Sequence, residues 1–233
     1  DKQRIYFATW QGLYIYFKDT DHWQAFHQDN GLPHEDVTGL VVEPEKVWIA
    51  TGRGLCYFDK QENKIKGLPQ NKKFRITAII SQPNQPYLWV TNQQGQLWRL
   101  NKKNLHWELL YEFPVAIAIN SLAYYNNSLW LGTREQGLIV ISLLNKKTDR
   151  IKKRGGILKW FKAGLVSNEI SVLKVIGSHL WVGTAEKGIS ILNLKNNQWQ
   201  QLDFTSGLLN DEILTIEEDD KFIWIGHFGG ITR

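Results

Sequence analysis

The chain has 233 residues, of which 42% are hydrophobic and 22% are charged, and its formal net charge is +5. These values are typical of a globular protein and exclude a disordered one. The apolar stretch at residues 138–144 is far shorter than the roughly 18 residues that a membrane-spanning helix needs. The single cysteine excludes an intramolecular disulfide and a multi-cysteine metal site. Because the chain lacks methionine altogether, we expect it to be a processed or excised piece.

The composition favours β-strands. Aromatic residues make up 12% of the chain, eleven of them Trp, and polar turn-forming residues separate short apolar runs. Aromatic and β-branched side chains pack well on a pleated surface. No segment shows a sustained apolar period of 3.6 residues, so we expect few helices.

A five-residue motif with an aromatic second position recurs six times, at spacings of roughly 40–50 residues. Its copies are Ile5–Thr9, Val47–Thr51, Leu88–Asn92, Leu129–Thr133, Leu180–Thr184 and Ile223–His227. Three or four residues after each copy comes a glycine that fits a turn residue with positive φ: Gly12, Gly54, Gly95, Gly137, Gly188 and Gly230. We expect the hydroxyl of the motif threonine to form a local hydrogen bond in the same turn.

Each repeat predicts four short strands, A to D, with the motif as strand B. In one repeat these strands are expected near residues 170–176, 180–184, 188–194 and 198–204. A second element precedes strand A and aligns without a gap at Gly31–Val37, Gly164–Ile170 and Gly207–Ile213. Four strands in such a period are typical of a β-propeller blade, which buries its faces by stacking on neighbouring blades. We therefore expect the repeated aromatic residue to pack between blades.

The pattern [VIL]-W-[IVL]-G-T-x-x-x-G-[LI], preceded by G-L-x-x-[DN]-E-[VI], resembles the two-component regulator propeller repeat. The best matches are residues 129–138, 180–189 and 207–230. The resemblance covers essentially the whole chain and implies an all-β propeller of four-stranded antiparallel blades, as a single domain over residues 1–233. Strand B appears six times but strand A five, so we expect part of a seven-bladed or larger propeller; a closed six-bladed ring is the alternative.

The resemblance also implies a function. It points to a non-catalytic sensor domain of a bacterial histidine-kinase or hybrid two-component receptor, often periplasmic, with the kinase outside these residues. Such a domain would receive a small molecule, commonly a carbohydrate, or a protein ligand, or would mediate homodimerisation. The phosphate-loop, zinc-helix and nucleophile-elbow motifs are missing from the sequence, and we expect neither a metal nor a cofactor.

Functional residues of propellers lie in loops that vary between blades. The D–A and B–C loops should share one face at the mouth of the central channel. The candidate ligand-binding residues on these loops are Trp10, His34, Arg53, Gln94, Arg134, Asn168, Glu186 and His227. Two other hypotheses remain open: a protein-interaction scaffold, and a propeller lyase with His34 or His227 as its base.

A basic segment stands out at residues 146–162, where eight basic residues and one acid give a net charge of +7. We expect it in an extended C–D loop, as a patch for an acidic partner, a phosphate or an anionic membrane surface, or as a solvated hairpin tip. The candidate patch residues are Lys146, Lys147, Arg150, Lys152, Lys153 and Arg154. No nucleic-acid-binding motif accompanies them, so specific nucleic-acid binding is not expected.

Overall fold

A computed structural model describes residues 1–69, 72–113, 117–145, 147–152 and 164–233. Within these residues the chain is all-β, with six antiparallel sheets and two short 3-10 turns. It divides into two compact units, Asp1–Ala116 and Ile117–Arg233, each with three sheets. The predicted all-β fold of propeller blades is confirmed. No helix in the described ranges is long and apolar enough to cross a membrane.

The first unit holds blades 1 to 3, whose strands pair in chain order. Blade 1 has three strands, and blades 2 and 3 have four each. The strands are β1 (Arg4–Thr9), β2 (Gly12–Phe17), β3 (His22–Phe26), β4 (Val37–Val42), β5 (Lys46–Thr51), β6 (Gly54–Asp59), β7 (Lys64–Gly67), β8 (Ile76–Ser81), β9 (Tyr87–Asn92), β10 (Gln96–Asn101) and β11 (Trp107–Glu112). A 3-10 turn, Gln28–Asn30, precedes blade 2.

The second unit holds blades 4 to 6, of which the last has three strands. The strands are β12 (Ile119–Tyr125), β13 (Ser128–Thr133), β14 (Leu138–Ser142), β15 (Thr148–Ile151), β16 (Ile170–Ile176), β17 (His179–Thr184), β18 (Ile189–Asn193), β19 (Trp199–Leu202), β20 (Ile213–Glu218), β21 (Ile223–His227) and β22 (Gly230–Thr232). A 3-10 turn, Phe204–Ser206, precedes blade 6. All six predicted B strands are confirmed, and the A strand at residues 170–176 has the predicted bounds.

Strand D of blade 5 ends earlier than predicted. The expectation was residues 198–204, but β19 ends at Leu202. Asp203 then caps the 3-10 turn, since its side chain accepts a hydrogen bond from the backbone N–H of Ser206. An aspartate in this capping position favours a turn over a continued strand.

Strand B supplies side chains to two interfaces at once. Successive residues of a strand point to opposite faces of its sheet. On β5, Val47 and Ile49 join a buried cluster with Leu13 and Ile15 of blade 1. The alternate residue Trp48 joins a cluster with residues of blade 3, and it is fully buried. One strand therefore connects the cores on both sides of its blade.

In blades 1, 2, 4 and 5 the repeated aromatic residue packs between blades, as predicted, and it does so against the following blade. Tyr6 packs against the cluster shared by blades 1 and 2, and Trp48 lies in that of blades 2 and 3. Trp130 packs against the cluster of blades 4 and 5, and Trp181 against that of blades 5 and 6. Trp224, at the same motif position in blade 6, is 38% exposed.

The motif threonine closes the B–C turn. Thr51 Oγ1 donates a hydrogen bond to the carbonyl oxygen of Gly54 at 2.7 Å and accepts one from the backbone N–H of Arg53 at 3.2 Å. The same donation to the turn glycine recurs at Thr9, Thr133 and Thr184, each at 2.8 Å. The predicted local hydrogen bond of the threonine is confirmed.

The predicted positive φ is found at five of the six turn glycines: Gly12, Gly54, Gly95, Gly137 and Gly188. At the sixth turn the prediction was wrong. There Gly229 has a φ of +93°, and Gly230 begins β22. His227 pairs directly with Gly230, so the connection is a two-residue turn whose second residue carries the positive φ.

The basic segment does not lie in an extended C–D loop. Strand D of blade 4 is β15, and Ile141 of strand C pairs with Thr148. The C–D connection is therefore short, and Arg150 lies within strand D itself. The extra residues of this repeat fall between β15 and β16, in the D–A connection. Residues 153–163 of that connection lie outside the described residues.

We predict that Trp48→Ala lowers the free energy of unfolding by about 3–5 kcal/mol, because it empties a fully buried indole site between two blades. Trp224→Ala is the matched control at the same motif position, and it should cost clearly less because its indole is already 38% exposed. Urea denaturation of both variants measures the difference. Equal losses would contradict the proposed role of inter-blade burial.

We also predict that Gly188→Ala destabilises the fold. Gly188 has a φ of +71°, and an added Cβ would lie 2.2 Å from the carbonyl oxygen of Leu202. Strain of this kind costs on the order of 1–3 kcal/mol. Gly67→Ala is the control, since no atom lies within 4 Å of its added Cβ. Thermal denaturation should show a large loss for Gly188→Ala alone; a similar melting temperature for both variants would refute the steric argument.

Candidate functional site

The D–A and B–C loops of a blade are joined by backbone hydrogen bonds, as expected for loops on one face. In blade 2 the N–H of Gly52 donates to the carbonyl oxygen of Asp36 at 2.8 Å. In blade 3 the N–H of Gln93 donates to Arg75 at 3.3 Å. Blades 4 and 5 repeat the bond, from Arg134 to Ala118 and from Ala185 to Glu169. The scaffold therefore holds the two loops of each of these blades together.

His34 has a structural role that the sequence pattern did not reveal. Its Nδ1 accepts a hydrogen bond from the backbone N–H of Asp36 at 3.0 Å. In the two aligned copies of this element, Ser167 Oγ and Asn210 Oδ1 accept the same i+2 bond. The imidazole thus replaces a turn-forming hydroxyl or amide, and it keeps its proton on Nε2 when neutral.

His34 and Arg53 are neighbours on the first unit's loop face. An added Cβ at Gly52 would lie 2.8 Å from His34 Nδ1, which places the imidazole against the B–C turn that carries Arg53. Arg53 and Gln94 are exposed, and Trp10 is 75% exposed. Within the described part of the chain, these three side chains have no hydrogen-bond or ion-pair partner, so their binding groups are available to a ligand.

An imidazole–carboxylate pair joins blade 1 to the D–A loop before blade 2. His27 Nδ1 lies 3.0 Å from Glu35 Oε2, and the backbone N–H of Gln28 donates to Glu35 Oε1 at 2.9 Å. The bonds from Gln28 and then His27 hold the pKa of the Glu35 carboxyl below its usual range. Asp211, in the aligned position, accepts the same backbone bond from Phe204 at 2.7 Å. Alignment of the repeats was the signal that could have identified this pair.

A second interaction between loops, also missed by sequence reasoning, is the ion pair of Asp36 with Arg75. These residues belong to the D–A loops that precede blades 2 and 3. The Arg75 side chain remains 44% exposed. The pair places a guanidinium and a carboxylate, with no net charge, on the same loop face as Arg53.

The second unit places three candidate residues along its own B–C and D–A loops. Asn168 lies against the B–C turn of blade 4: its carbonyl oxygen accepts the N–H of Gly137 at 3.0 Å, and its Oδ1 lies 3.3 Å from the Cβ position of that glycine. Arg134 and Glu186 are exposed. Neither side chain has a hydrogen-bond or ion-pair partner among the residues that the structure covers.

His227 differs from the other candidates because it is 4% exposed. Its Nε2 lies 2.8 Å from Thr232 Oγ1, and its Nδ1 is buried without a hydrogen-bond partner in the described residues. A buried imidazole with one unpaired nitrogen has no direct route to a ligand at the loop surface. The assignment of His227 as an accessible catalytic base therefore has little geometric support.

Part of the basic patch is visible. Lys147, Arg150 and Lys152 are exposed and form no ion pair within the described ranges. Lys146, Lys153 and Arg154 lie outside the described residues. Three unpaired cations in this short segment keep the hypothesis of an anionic partner open.

Other chemically notable residues have structural explanations. Cys56 is fully buried on strand C, and burial raises the pKa of its thiol far above the usual range, as expected for a structural cysteine. Asp219, in the acidic run at residues 217–220, accepts backbone bonds from Lys221 and Phe222 and closes an A–B turn. Among the described residues, no group of three or more His, Cys, Asp or Glu side chains could hold a metal ion.

No protein-family model and no curated protein matches the chain. Several solved structures do. The extracellular domain of BT3049 from B. thetaiotaomicron, described as a hybrid two component system, is 22% identical with a TM-score of 0.71, covering 98% of this chain and 31% of that one. The extracellular domain of BT4673 from the same organism, also described as a hybrid two component system, is 17% identical with a TM-score of 0.62, covering 98% and 38%.

An ancestral GH74 enzyme is 16% identical with a TM-score of 0.70, covering 98% of this chain and 34% of the enzyme. The chain thus spans about a third of the length of each of these three proteins. At such identities the likeness shows the fold, a β-propeller. This fold is shared by extracellular domains of two-component systems and by at least one enzyme.

We predict that the stability contributed by the Glu35 carboxylate depends on pH. Its pKa is below the ordinary value of 4.5 in the folded protein, so it stabilises the fold above that value, and the contribution is lost as the pH falls through the lowered pKa. Glu35→Gln should therefore be less stable than the parent near neutral pH, with a difference that shrinks as the pH falls below 4.5. Glu186→Gln, whose side chain has no described partner, is the control. A pH-independent difference for Glu35→Gln would contradict the assignment.

Proposed function

We propose that this chain is a ligand-recognition propeller of a bacterial two-component signalling receptor, with no catalytic role of its own. The observation that carries the proposal is the likeness to BT3049, which extends over 98% of the chain. The resemblance of the repeats to the two-component regulator propeller supports it independently. The receptor's kinase would lie outside these residues, and an extracytoplasmic location follows from the same resemblance.

The ligand would bind the first unit's loop face. Trp10 offers an exposed indole, on which the apolar face of a sugar ring can stack. Arg53 and Gln94 offer donors with no described internal partner, which suit hydroxyl or carboxylate groups of a ligand. Exposed aromatic rings together with polar side chains are typical of small-molecule recognition. We therefore propose a carbohydrate as the ligand class.

A thermal-shift screen of neutral oligosaccharides tests the ligand proposal. A ligand at 100 times its Kd stabilises the folded state by about 2.7 kcal/mol and raises the melting temperature. Trp10→Ala and Arg53→Ala should abolish that shift. Trp23→Ala, which removes another half-exposed indole that lies on strand β3, is the control and should retain it. A shift that survives both loop substitutions would exclude this face as the site.

The signalling part of the proposal is tested in the source cell. An antibody raised against this chain should detect a native polypeptide far larger than the 27.1 kDa of these residues. Ligand should then alter either the phosphorylation of that polypeptide or its homodimerisation, because a signal requires different affinities for two states. A band near 27.1 kDa would refute the multidomain receptor.

A protein-interaction scaffold is the second candidate, favoured by the exposed cations Lys147, Arg150 and Lys152. In that case a partner recovered by pull-down should be lost when the three residues are changed to Gln, and retention on heparin should fall. Loss of the partner on Trp10→Ala instead would favour the loop face as the docking surface.

A further inference from the structure

A cleft lies at the opposite loop end of blades 2 and 3. Its volume is about 480 Å³, within the range of small-molecule sites. The A–B loop of blade 3, from Gln82 to Pro86, forms one wall, and Lys102 and Lys103 of the C–D loop form another. Glu43 and Lys46 of blade 2 complete it. In an antiparallel blade these loops lie across the sheet from the D–A and B–C loops, so this cleft is separate from the face proposed above.

The floor of the cleft is a polar network centred on Glu43. Its carboxylate accepts hydrogen bonds from Trp48 Nε1 at 3.0 Å and from Ser81 Oγ at 3.1 Å, and it forms an ion pair with Lys102. Lys102 also donates to Ser81 Oγ at 3.0 Å. The side chains of Glu43 and Lys102 are only 23% and 17% exposed. The ion pair neutralises the charge of Lys102 within the protein. Both carboxylate oxygens of Glu43 already accept hydrogen bonds from protein groups.

Two lysines of the cleft remain without a carboxylate partner in the described residues. The ammonium group of Lys46 lies over the rings of Trp48 at 5.4 Å and Tyr57 at 4.7 Å, which holds it in place without neutralising it. Lys103 is exposed at the rim. The cleft therefore carries three lysines against one glutamate, a net charge of +2.

The loop of blade 3 adds neutral donors to this positive field. Asn84 and Gln85 supply side-chain amides to the wall, and Pro83 and Pro86 restrict its backbone. A hydrogen bond of 2.7 Å from the N–H of Lys102 to the carbonyl oxygen of Pro86 joins this loop to the C–D loop. This bond holds the wall against the C–D loop, and the amides of Asn84 and Gln85 can bond hydroxyl groups beside a bound anion.

We propose that this cleft binds a small polyhydroxylated anion, whose carboxylate or phosphate lies between Lys46 and Lys103. Three probes with the same sugar ring separate charge from shape: glucose, glucuronate and glucose 6-phosphate, each titrated into the whole chain and followed by NMR. At least one of the two anions should bind more tightly than glucose by about tenfold or more, because its charge strengthens the hydrogen bonds from the lysines. Binding of glucuronate alone assigns a carboxylate, and binding of glucose 6-phosphate alone assigns a phosphate monoester.

Charge variants locate the site. Lys46→Gln combined with Lys103→Gln should weaken the anion by about tenfold or more. Lys195→Gln combined with Lys221→Gln makes the same change in net charge at exposed lysines outside the cleft and should leave the affinity unchanged. Equal losses in the two double variants would show nonspecific attraction and overturn the proposal, as would equal binding of glucose or no binding of either anion.

Glu43→Gln should change the anion affinity in the opposite direction from the lysine variants. It removes the charge that neutralises Lys102, so anion affinity should rise while binding of a ligand at Trp10 stays the same. A fall in anion affinity at an unchanged melting temperature would overturn the proposed contact. Because the cleft variants do not touch Trp10 or Arg53, failure here leaves the proposed sensor function standing, and the converse also holds.

Discussion

The structure depends on the burial of both faces of each inner blade through a single central strand. An isolated four-stranded sheet cannot bury two apolar faces, so each blade is stable only against its neighbours. Strand B meets this requirement by alternation: Val47 and Ile49 face one neighbouring blade while Trp48 and Ala50 face the other. The large aromatic residue on one side and aliphatic residues on the other produce a directional interface that can be repeated along the chain.

The turn chemistry leaves the loop side chains available for binding. Thr51 satisfies the backbone of the B–C turn with its own hydroxyl, so Arg53 is not needed for structure. In the D–A loops, His34 and Asn210 satisfy the i+2 backbone N–H in the same way. The loops therefore keep their conformation while neighbouring positions vary, which is the condition for recognition on a fixed frame.

The periodic part of this fold could be predicted from the sequence, because strand B, its aromatic residue and its turn recur at nearly constant spacing. Two local errors have physical causes. Strand D carries few apolar residues, so pairing of Ile141 with Thr148 could not be read from its composition, and the position of the long insertion was misplaced. The sixth turn uses Gly229 and not Gly230 for positive φ, because two adjacent glycines leave the choice to the pairing register.

The sites depend on contacts between repeats, which spacing alone does not reveal. The Glu43 network joins Glu43 and Lys102, from two different loops, with Ser81 at the end of strand β8, and none of them belongs to the repeated motif. The loop-face candidates, by contrast, were identified because they occupy B–C and D–A loop positions whose residues vary between repeats. Repetition thus identifies the frame and the loops attached to it. A site formed by residues of two blades can be identified only from the packed structure. For this reason the repeat pattern did not predict the cleft between blades 2 and 3.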